Sequence, residues 1–285
     1  MNIKTSLKKM TVQLHAVTST PFLEARLLLQ KVLQCQEVFL FMNSEYVLSE
    51  TEITQLQGLI EKRLTRYPMA YVLGKKEFWS LMLFVDENVL IPRADTEVLI
   101  EQALALSLAD DASILDLGTG SGAIALALKK EKPYWDVSAI DQSQGACAIA
   151  KKNADYHQLS VHIQQSDWFS ALSTEKKYHL IVANPPYIDG NDVHLNDTEI
   201  SFEPQSALVA KDGGLADLKI IVDNAKAYLH NNGYLLLEYG LNQHEKLYDI
   251  LKEKHYDNIV FGRDLNKKMR YVIAQYKIRK NDDNL

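Results

Sequence analysis

Cysteine is scarce in this 285-residue chain, which holds only Cys35 and Cys147. Two thiols so far apart make no disulfide framework and no metal-ligand spacing, so a reducing compartment is expected. The eight histidines are scattered without ligand spacing, and no metal is implied. Long apolar runs are missing too. No stretch approaches the ~18 residues that a membrane span needs. Lys4, Lys8 and Lys9 are followed by no apolar h-region, which argues against export and against membrane attachment and favours a cytoplasmic location. A basic stripe is also lacking: the net charge is −6, and residues 1–75 carry nine Lys and Arg against six Asp and Glu, a weak asymmetry. A protein that tracks nucleic-acid phosphates would show a basic surface interleaved with aromatics, so direct nucleic-acid binding is not expected. The N-terminal lysines read as a solvated helix surface. With 47% hydrophobic residues the chain can bury a large core, and its length suits two domains.

The hydrophobic period changes near residue 68. Before it, Leu7, Met10 and Leu14, then Phe22 to Leu33, then Leu56, Leu59, Ile60 and Leu64 recur at helical spacing. Thr20-Pro21 opens the second helix, Ser49-x-x-Glu52 is a capping box, and Tyr67-Pro68 stops the last helix. A small all-α domain over residues 1–75 follows. Residues 76–95, with Phe78, Trp79, Leu83, Phe84 and Val85, predict a β-hairpin linker. Over residues 96–285 strands and helices alternate, with a central strand over 233–239 and a final one over 269–276. Residues 280–285 read as a frayed tail.

Within the alternating part, Ser113-Ile114-Leu115-Asp116-Leu117 reads as a short buried strand. It runs into Gly118-Thr119-Gly120-Ser121-Gly122 and then a helix from Ala123 to Lys130. Glycines let the backbone turn sharply and approach a ligand closely, the way open α/β sheets seat a nucleotide at the carboxyl ends of their strands. Alone the loop is ambiguous, because Gly118-x-Gly120-x-x-Ala123 also satisfies the relaxed fingerprint for NAD. A second strand ends in Asp141, 19 residues after Gly122, where a carboxylate meets the ribose hydroxyls of either kind of cofactor. Ser166-Asp167-Trp168 closes a third strand. Trp168 reads either as core or as a cover for an adenine ring.

Asn184-Pro185-Pro186-Tyr187 closes the next apolar run, Leu180 to Ala183. Two prolines in succession have no N–H to donate and fix φ, so the segment is a stiff, preset turn. It holds the Asn184 amide, the Pro185 carbonyl and the Tyr187 ring around one small planar group. An N–H₂ group fits, having two hydrogens to donate and a face to stack. The tetrapeptide alone suits equally a rigid loop with Tyr187 packed into the core. Its position after a strand in this series favours the amine site, since a nicotinamide enzyme has no use for that turn.

Together these motifs resemble the class I S-adenosylmethionine-dependent methyltransferases with the Asn-Pro-Pro-Tyr of the amino-methylating branch. Ile91-Pro92-Arg93, Thr96-Glu97, the glycine loop, Asn184 to Tyr187, and Phe202-Glu203-Pro204 followed by Ala207-Leu208 are similar, in this order, to the PrmC/HemK family. The resemblance covers about residues 68–276. It implies a doubly wound, mostly parallel seven-stranded sheet, and methyl transfer to the side-chain amide of the glutamine in the Gly-Gly-Gln loop of peptide chain release factors. S-Adenosylmethionine would be consumed and S-adenosylhomocysteine released. On this pattern Gly118 to Gly122, Asp141, Asp167, Trp168 and Asn184 hold the cofactor. Asn184, Pro185, Pro186 and Tyr187 hold the substrate amide, with Asn184, Pro185 and Tyr187 acting in catalysis. Ala94-Asp95 departs from the family's Pro-Glu, though Asp95 keeps the charge and is able to cap the following helix. Asn266 to Arg270 stands where a shorter glycine-arginine turn is common.

Two other readings stay open at this level. An adenine amino-methyltransferase would present the same N–H₂ from a flipped base. The Phe202 to Leu208 motif and the missing basic stripe speak against it. A non-catalytic cofactor-binding assembly protein would have no need to keep Asn184 and Tyr187 together. Asp189, Asp192, Asp197, Glu199 and Glu203 crowd the residues after Tyr187 and predict a polar lid over the site. His179 reads as an edge-of-core residue rather than a base.

Overall fold

The helical spacing of the N-terminal part becomes five helices: α1 (Ile3–Leu14), α2 (Pro21–Leu33), α3 (Glu37–Met42), α4 (Glu50–Leu64) and α5 (Met69–Leu73). A computed structural model describes residues 1–196, 199–264 and 266–278. Asn2 caps α1 through its side-chain oxygen, which accepts from the Thr5 N–H at 2.9 Å. Ser49 and Glu52 form the reciprocal capping box of α4. Pro68 does not end the helical part, as Tyr67-Pro68 had suggested. It sits at the N-cap of α5, where its missing N–H costs no hydrogen bond. Ile3, Met10, Leu14, Leu28, Leu29 and Leu56 form the buried apolar face.

Among these apolar residues lies one buried cation. Arg63, 2% exposed, donates to Glu24 from Nε at 2.7 Å and from Nη2 at 3.1 Å, a two-point pairing with a buried carboxylate. Residues 199–202 cluster with this helical unit. Glu199 accepts from Arg63 Nη2 at 2.7 Å, and the Phe202 ring meets Tyr67 edge-on at 5.2 Å. Asp197, counted with the acidic lid, lies outside the described residues, as does the 280–285 tail.

The second unit begins at Lys76, inside the hairpin of β1 (Lys75–Phe78) and β2 (Leu81–Phe84). Its two-residue turn, Trp79-Ser80, takes positive φ at both positions, 47° and 57°. That is the twist a tight hairpin requires. A 3₁₀ turn at Ala94–Thr96 leads into α6 (Glu97–Ala105). Asp95 does not cap α6, contrary to expectation: no side chain caps it, and the Asp95 carboxylate accepts from Asn266 Nδ2 at 2.8 Å instead.

The alternation then runs β3 (Ser113–Leu117), α7 (Ala123–Glu131), β4 (Asp136–Asp141), α8 (Gln144–His157), β5 (His162–Gln165) and β6 (Tyr178–Ala183). After β7 (Ile188–Asp189), β8 (Val209–Ala210) and the short turn α9 (Lys211–Gly214) come α10 (Ala216–Ala225), β9 (Leu229–Glu238), α11 (His244–Glu253), β10 (Asp257–Arg263) and β11 (Met269–Gln275). The seven-stranded sheet has the order β10-β11-β9-β6-β3-β4-β5. β9, β6, β3, β4 and β5 are parallel, and β11 is antiparallel to both of its neighbours. This is the doubly wound class I arrangement.

Successive residues of β6 point to opposite faces, and both faces are buried, as parallel sheets require. Leu180 and Val182 join Leu99 of α6, Leu126 of α7 and Ala150 of α8. Ile181 and Ala183 join Leu218 and Val222 of α10 and Leu247 of α11. His179 lies at the opposite end of β6 from Asn184, its Nδ1 accepting from the Ser113 N–H at 3.0 Å. None of the helices among the described residues is long and apolar enough to cross a membrane.

The Arg63 pairing is testable by thermal unfolding. Arg63→Ala strands the buried Glu24 carboxylate and should destabilise the protein by roughly 3–5 kcal/mol, whereas replacing both Arg63 and Glu24 with apolar residues of similar volume should cost far less. Equal losses in the two variants would show that the pair contributes packing and not charge compensation.

Candidate active site

Strand register places the site. Leu117 of β3 pairs with Ile140 of β4 and Ala183 of β6, and Ala183 pairs with Leu237 of β9. The next residue of each strand is therefore level with the others: Gly118, Asp141, Asn184 and Glu238. β5 joins the line one step on, Asp141 pairing with Gln165 just before Ser166. Strand order reverses between β3 and β6, where open α/β sheets form a crevice. A cleft opens here at the ends of these strands.

Gly118, Gly120, Asp141, Asp167, Trp168, Asn184 and Pro186 all line this cleft. Thr119, Ser121, Gly122, Pro185 and Tyr187 are not among its lining residues: the first three belong to the loop behind it, and of the turn only Asn184 and Pro186 reach the cleft wall. Gly122 takes φ +85°, and a Cβ there would meet Ala150 at 3.3 Å, so the loop packs against α8 without a side chain between them. The Ser121 carbonyl accepts from Asn153 Nδ2 at 2.8 Å. Asp141 accepts the Gly120 N–H at 2.9 Å and the Ser143 N–H at 2.8 Å, so one carboxylate ties the loop to β4 while facing the cleft. Trp168 donates from Nε1 to Asp217 at 3.3 Å, and its ring approaches Gly118.

Below the loop Asp116 is fully buried. Its Oδ2 accepts from the Thr119 hydroxyl at 2.6 Å and the Ala125 N–H at 3.2 Å, while Oδ1 has no partner. Burial pushes its pKa up to about 7 in spite of those bonds, with Asp141 adding to the rise.

Asn184 is held by a chain of hydrogen bonds running into the sheet. Its Nδ2 donates to Thr96 Oγ1 at 3.1 Å, and the Thr96 hydroxyl donates to Glu238 Oε2 at 2.8 Å. Glu238 also accepts the Tyr187 hydroxyl at 3.0 Å on Oε1. Burial raises the Tyr187 pKa further above its ordinary value, so that hydroxyl stays a donor. Because the one hydroxyl hydrogen of Thr96 is committed to Glu238, its oxygen can only accept from Asn184. The Asn184 amide is thereby oriented, and Oδ1 is left to accept. The exit of the turn is pinned as well: Gln243 donates to the Tyr187 carbonyl at 2.9 Å and accepts the Gly240 N–H at 2.8 Å. Arg270 stands 6.0 Å from the Tyr187 ring centroid and pairs with the buried Asp264 at 3.1 Å.

Two further sequence motifs meet around one carboxylate. Glu203 is buried and accepts from the Ile91 N–H at 3.0 Å and from Arg93 Nη2 at 2.5 Å. Leu90 and Pro204 line the cleft, so this bond closes one of its walls. The Glu203-Pro204 step is thus more than a turn. The sequence reading missed Asn88, Ser143, Ala146 and Ser206, which also line the cleft, and it gave Glu238 no role. A lone Asn in a loop after a hairpin carries no local signal. Glu at the end of an otherwise apolar strand, Leu235-Leu236-Leu237-Glu238, is a signal that could have been used.

A family model for the PrmC N-terminal domain matches residues 6–74, and one for the methyltransferase small domain matches residues 94–273. A release factor glutamine methyltransferase of Shewanella oneidensis is 44% identical over 266 residues, covering 93% of both chains. The chain belongs to the release factor glutamine methyltransferase family. Its Escherichia coli member is 40% identical over 271 residues, which cover 95% of this chain and 97% of that one. Among solved structures, the hMettl16 catalytic domain in complex with an RNA hairpin aligns with TM-score 0.58 at 18% identity, over 81% of this chain and 82% of that one. A methyltransferase from Pyrococcus furiosus aligns with TM-score 0.52 at 17% identity, over 70% and 90%. At those identities the likeness is one of fold.

Asp116 makes stability depend on pH. Its carboxyl holds a proton up to about pH 7 in the folded protein and gives it up near 3.8 when unfolded. Its contribution is therefore fully present below pH 4 and lost as pH rises through 7, by up to about 4 kcal/mol at 1.36 kcal/mol per pKa unit. Asp116→Asn carries no charge to desolvate. Thermal unfolding of the ligand-free protein should show the variant gaining on wild type between pH 5 and pH 8, and a gap that is flat with pH would mean Asp116 is ionised in the fold.

Proposed function

We propose that this protein transfers the methyl group of S-adenosylmethionine to the side-chain amide nitrogen of the glutamine in the Gly-Gly-Gln loop of peptide chain release factors. The observation that carries this reading is the oriented Asn184 amide. One of its two N–H hydrogens is held by Thr96, which fixes the amide with Oδ1 as the acceptor at the head of a proline-stiffened turn on the cleft. Family membership supports the release factor as substrate, and a cytoplasmic location suits such a partner.

The cleft fits the cofactor. Asp141 offers a carboxylate to ribose hydroxyls, Trp168 an aromatic face to adenine, and the side-chain-free Gly118 and Gly120 room beside a methionine chain. Asp167 adds a second acid at the adenosine end. Thr119, Ser121 and Gly122 keep the loop in the shape that makes this room. When bound, the cofactor supplies a methyl carbon on a sulfonium, already activated toward a nucleophile.

The protein's task is the nucleophile. An amide nitrogen is a poor one, because its lone pair is delocalised into the carbonyl. Hydrogen bonds from the two amide N–H groups to Asn184 Oδ1 and the Pro185 carbonyl would localise that pair, and would strengthen as positive charge builds on nitrogen in the transition state. Tyr187, its hydroxyl fixed on Glu238, offers a ring face to the planar amide, and Pro186 fills the cleft wall beside it. Holding the nitrogen in line can supply about 7–11 kcal/mol of barrier reduction. No strong base is required.

Residues 1–75 are proposed as the release-factor-recognition domain and 96–285 as the methyltransferase domain, joined by the 76–95 hairpin linker.

Cofactor binding is testable by calorimetry: Asp141→Ala loses charge-assisted bonds worth ~1.5–3 kcal/mol each and should weaken S-adenosylmethionine binding at least tenfold. Unchanged affinity would remove Asp141 from the site. Substrate and chemistry are testable together by mass spectrometry of release factor treated with enzyme and cofactor. One methyl is expected on a single glutamine. Asn184→Ala should lose most turnover while retaining cofactor affinity. Replacing the target glutamine by glutamate should stop transfer, because a carboxylate brings no hydrogen to the two acceptors. A methyl found on adenine in DNA would replace the protein substrate with a nucleic acid one.

A further inference from the structure

We infer that Glu238 and Thr96 are positioning residues for the methyl transfer, forming a buried relay that orients the Asn184 amide and passes negative charge toward its acceptor oxygen. The inference rests on the reading that Asn184 Oδ1 receives the substrate amide.

Three features of the relay carry it. First, its direction is set. Glu238, 2% exposed, accepts from two hydroxyls, Thr96 and Tyr187, and these are the two residues through which it touches the Asn184 to Tyr187 turn. An ionised carboxylate can only accept, so each hydroxyl hydrogen points inward and the Thr96 oxygen turns its lone pairs to Asn184 Nδ2. Were Glu238 protonated on Oε2, it would itself donate to Thr96, whose hydroxyl would then be free to donate to Asn184 Oδ1, turning the amide over and withdrawing the acceptor.

Second, the relay polarises. A carboxylate at the end of a hydrogen-bond chain increases the basicity of each acceptor along it, and in a buried setting this is not screened by water. Charge on Asn184 Oδ1 is wanted where the substrate nitrogen becomes cationic. Third, a buried carboxylate is costly unless something uses or compensates it. Arg270 from β11 acts on Glu238, but its hydrogen bonds go to Asp264 and the Tyr239 carbonyl and not to Glu238. Among the described residues the two hydroxyls are the carboxylate's hydrogen-bond partners.

The ionisation of Glu238 lies close to neutrality. Burial pushes its pKa up to about 7, against the bonds from Thr96 and Tyr187 and the charge of Arg270, while Asp95 adds to the rise. The relay is therefore set above that pH and lost as pH falls through it.

The test compares kcat and KM on release factor for Thr96→Val, Thr96→Ser and Glu238→Gln, with cofactor affinity and thermal midpoint measured on each. Thr96→Val keeps shape and removes the acceptor. Its kcat should fall at least tenfold, with KM and cofactor affinity within about threefold of wild type, since misplacement of a reacting group by about 1 Å can cost ~10²-fold. Thr96→Ser restores the hydroxyl and should recover most of that loss. Glu238→Gln should lower kcat similarly and abolish the fall of wild-type kcat between pH 8 and pH 6. A readout without turnover is the NMR signal of the Asn184 side-chain amide in the free enzyme, assigned by its loss in Asn184→Ala. It should shift with pH near 7 in wild type and stop doing so in Thr96→Val. Wild-type kcat in Thr96→Val, equal losses in Thr96→Ser and Thr96→Val, or an Asn184 signal indifferent to pH in wild type would each overturn the relay. Failure of the wild-type enzyme to methylate release factor would instead overturn the substrate reading, and the NMR titration would stand apart from it.

Discussion

The constraint on which the rest depends is the level register of four parallel strands. Leu117, Ile140, Ala183 and Leu237 lie side by side in the sheet. Whatever follows each of them must emerge on one edge, about 4.8 Å from the residue that follows the neighbouring strand. A slip of one residue in any pairing would exchange the faces of that strand and bury its polar end residue against helix. Both faces of β6 are fully buried, Leu180 and Val182 in one set of packed residues and Ile181 and Ala183 in another. The core thus sets the site: Gly118, Asp141, Asn184 and Glu238 meet because the residues before them pack.

Three carboxylates near this edge are partly or wholly removed from water, and each is treated differently. Asp141 keeps both oxygens on backbone N–H groups and still faces the cleft, so it fixes the loop and remains available to a ligand. Asp116 has one satisfied oxygen and one without a partner, and burial moves its ionisation up to about 7. It pins Thr119 and the start of α7 at some cost to stability. Glu238 has both oxygens satisfied by hydroxyls that themselves belong to the site. The first two bond to the loop itself, and the third connects to Asn184 and Tyr187 through hydroxyls. Burial alone therefore does not distinguish structural from functional acids here. The direction of their hydrogen bonds does.

What could be read from sequence was what is local. The glycine loop, the proline-stiffened turn and the strands around them depend on neighbours within a few residues, and the structure has them where their patterns predict. What could not be read was pairing at a distance. Asp95 had the chemistry of a helix cap, yet Asn266, 171 positions away, takes its carboxylate. Trp79-Ser80 makes a two-residue hairpin turn without the Asn-Gly or Asp-Gly that usually signals one, because the flanking strands impose the positive φ on residues that do not prefer it. Pro68 read as a stop and proved to be a start, since the same missing N–H suits either end of a helix. Ile91-Pro92-Arg93 and Phe202-Glu203-Pro204 were each visible as motifs, but only the fold brings Glu203 onto Ile91 and Arg93. Glu238 is the sharpest case. A charge closing the apolar run Leu235 to Leu237 marks it in sequence, but its partners lie 51 and 142 positions away and only the fold shows what it holds.

The hydrogens of the site explain why this arrangement suits an amide. The Tyr187 hydroxyl, the Thr96 hydroxyl and one Asn184 N–H are all directed inward along the chain that ends on Glu238. Prolines 185 and 186 contribute no N–H at all. The turn is consequently rich in acceptors and poor in donors. Such a surface favours a group that brings hydrogens, and the preference grows as that group becomes cationic. It disfavours an anion, which would face oxygens with nothing to share. The turn by itself has no means to tell a glutamine amide from any other planar N–H₂. That distinction has to come from residues outside the turn, which is why the proposed recognition role falls to the helical domain and not to the chemistry.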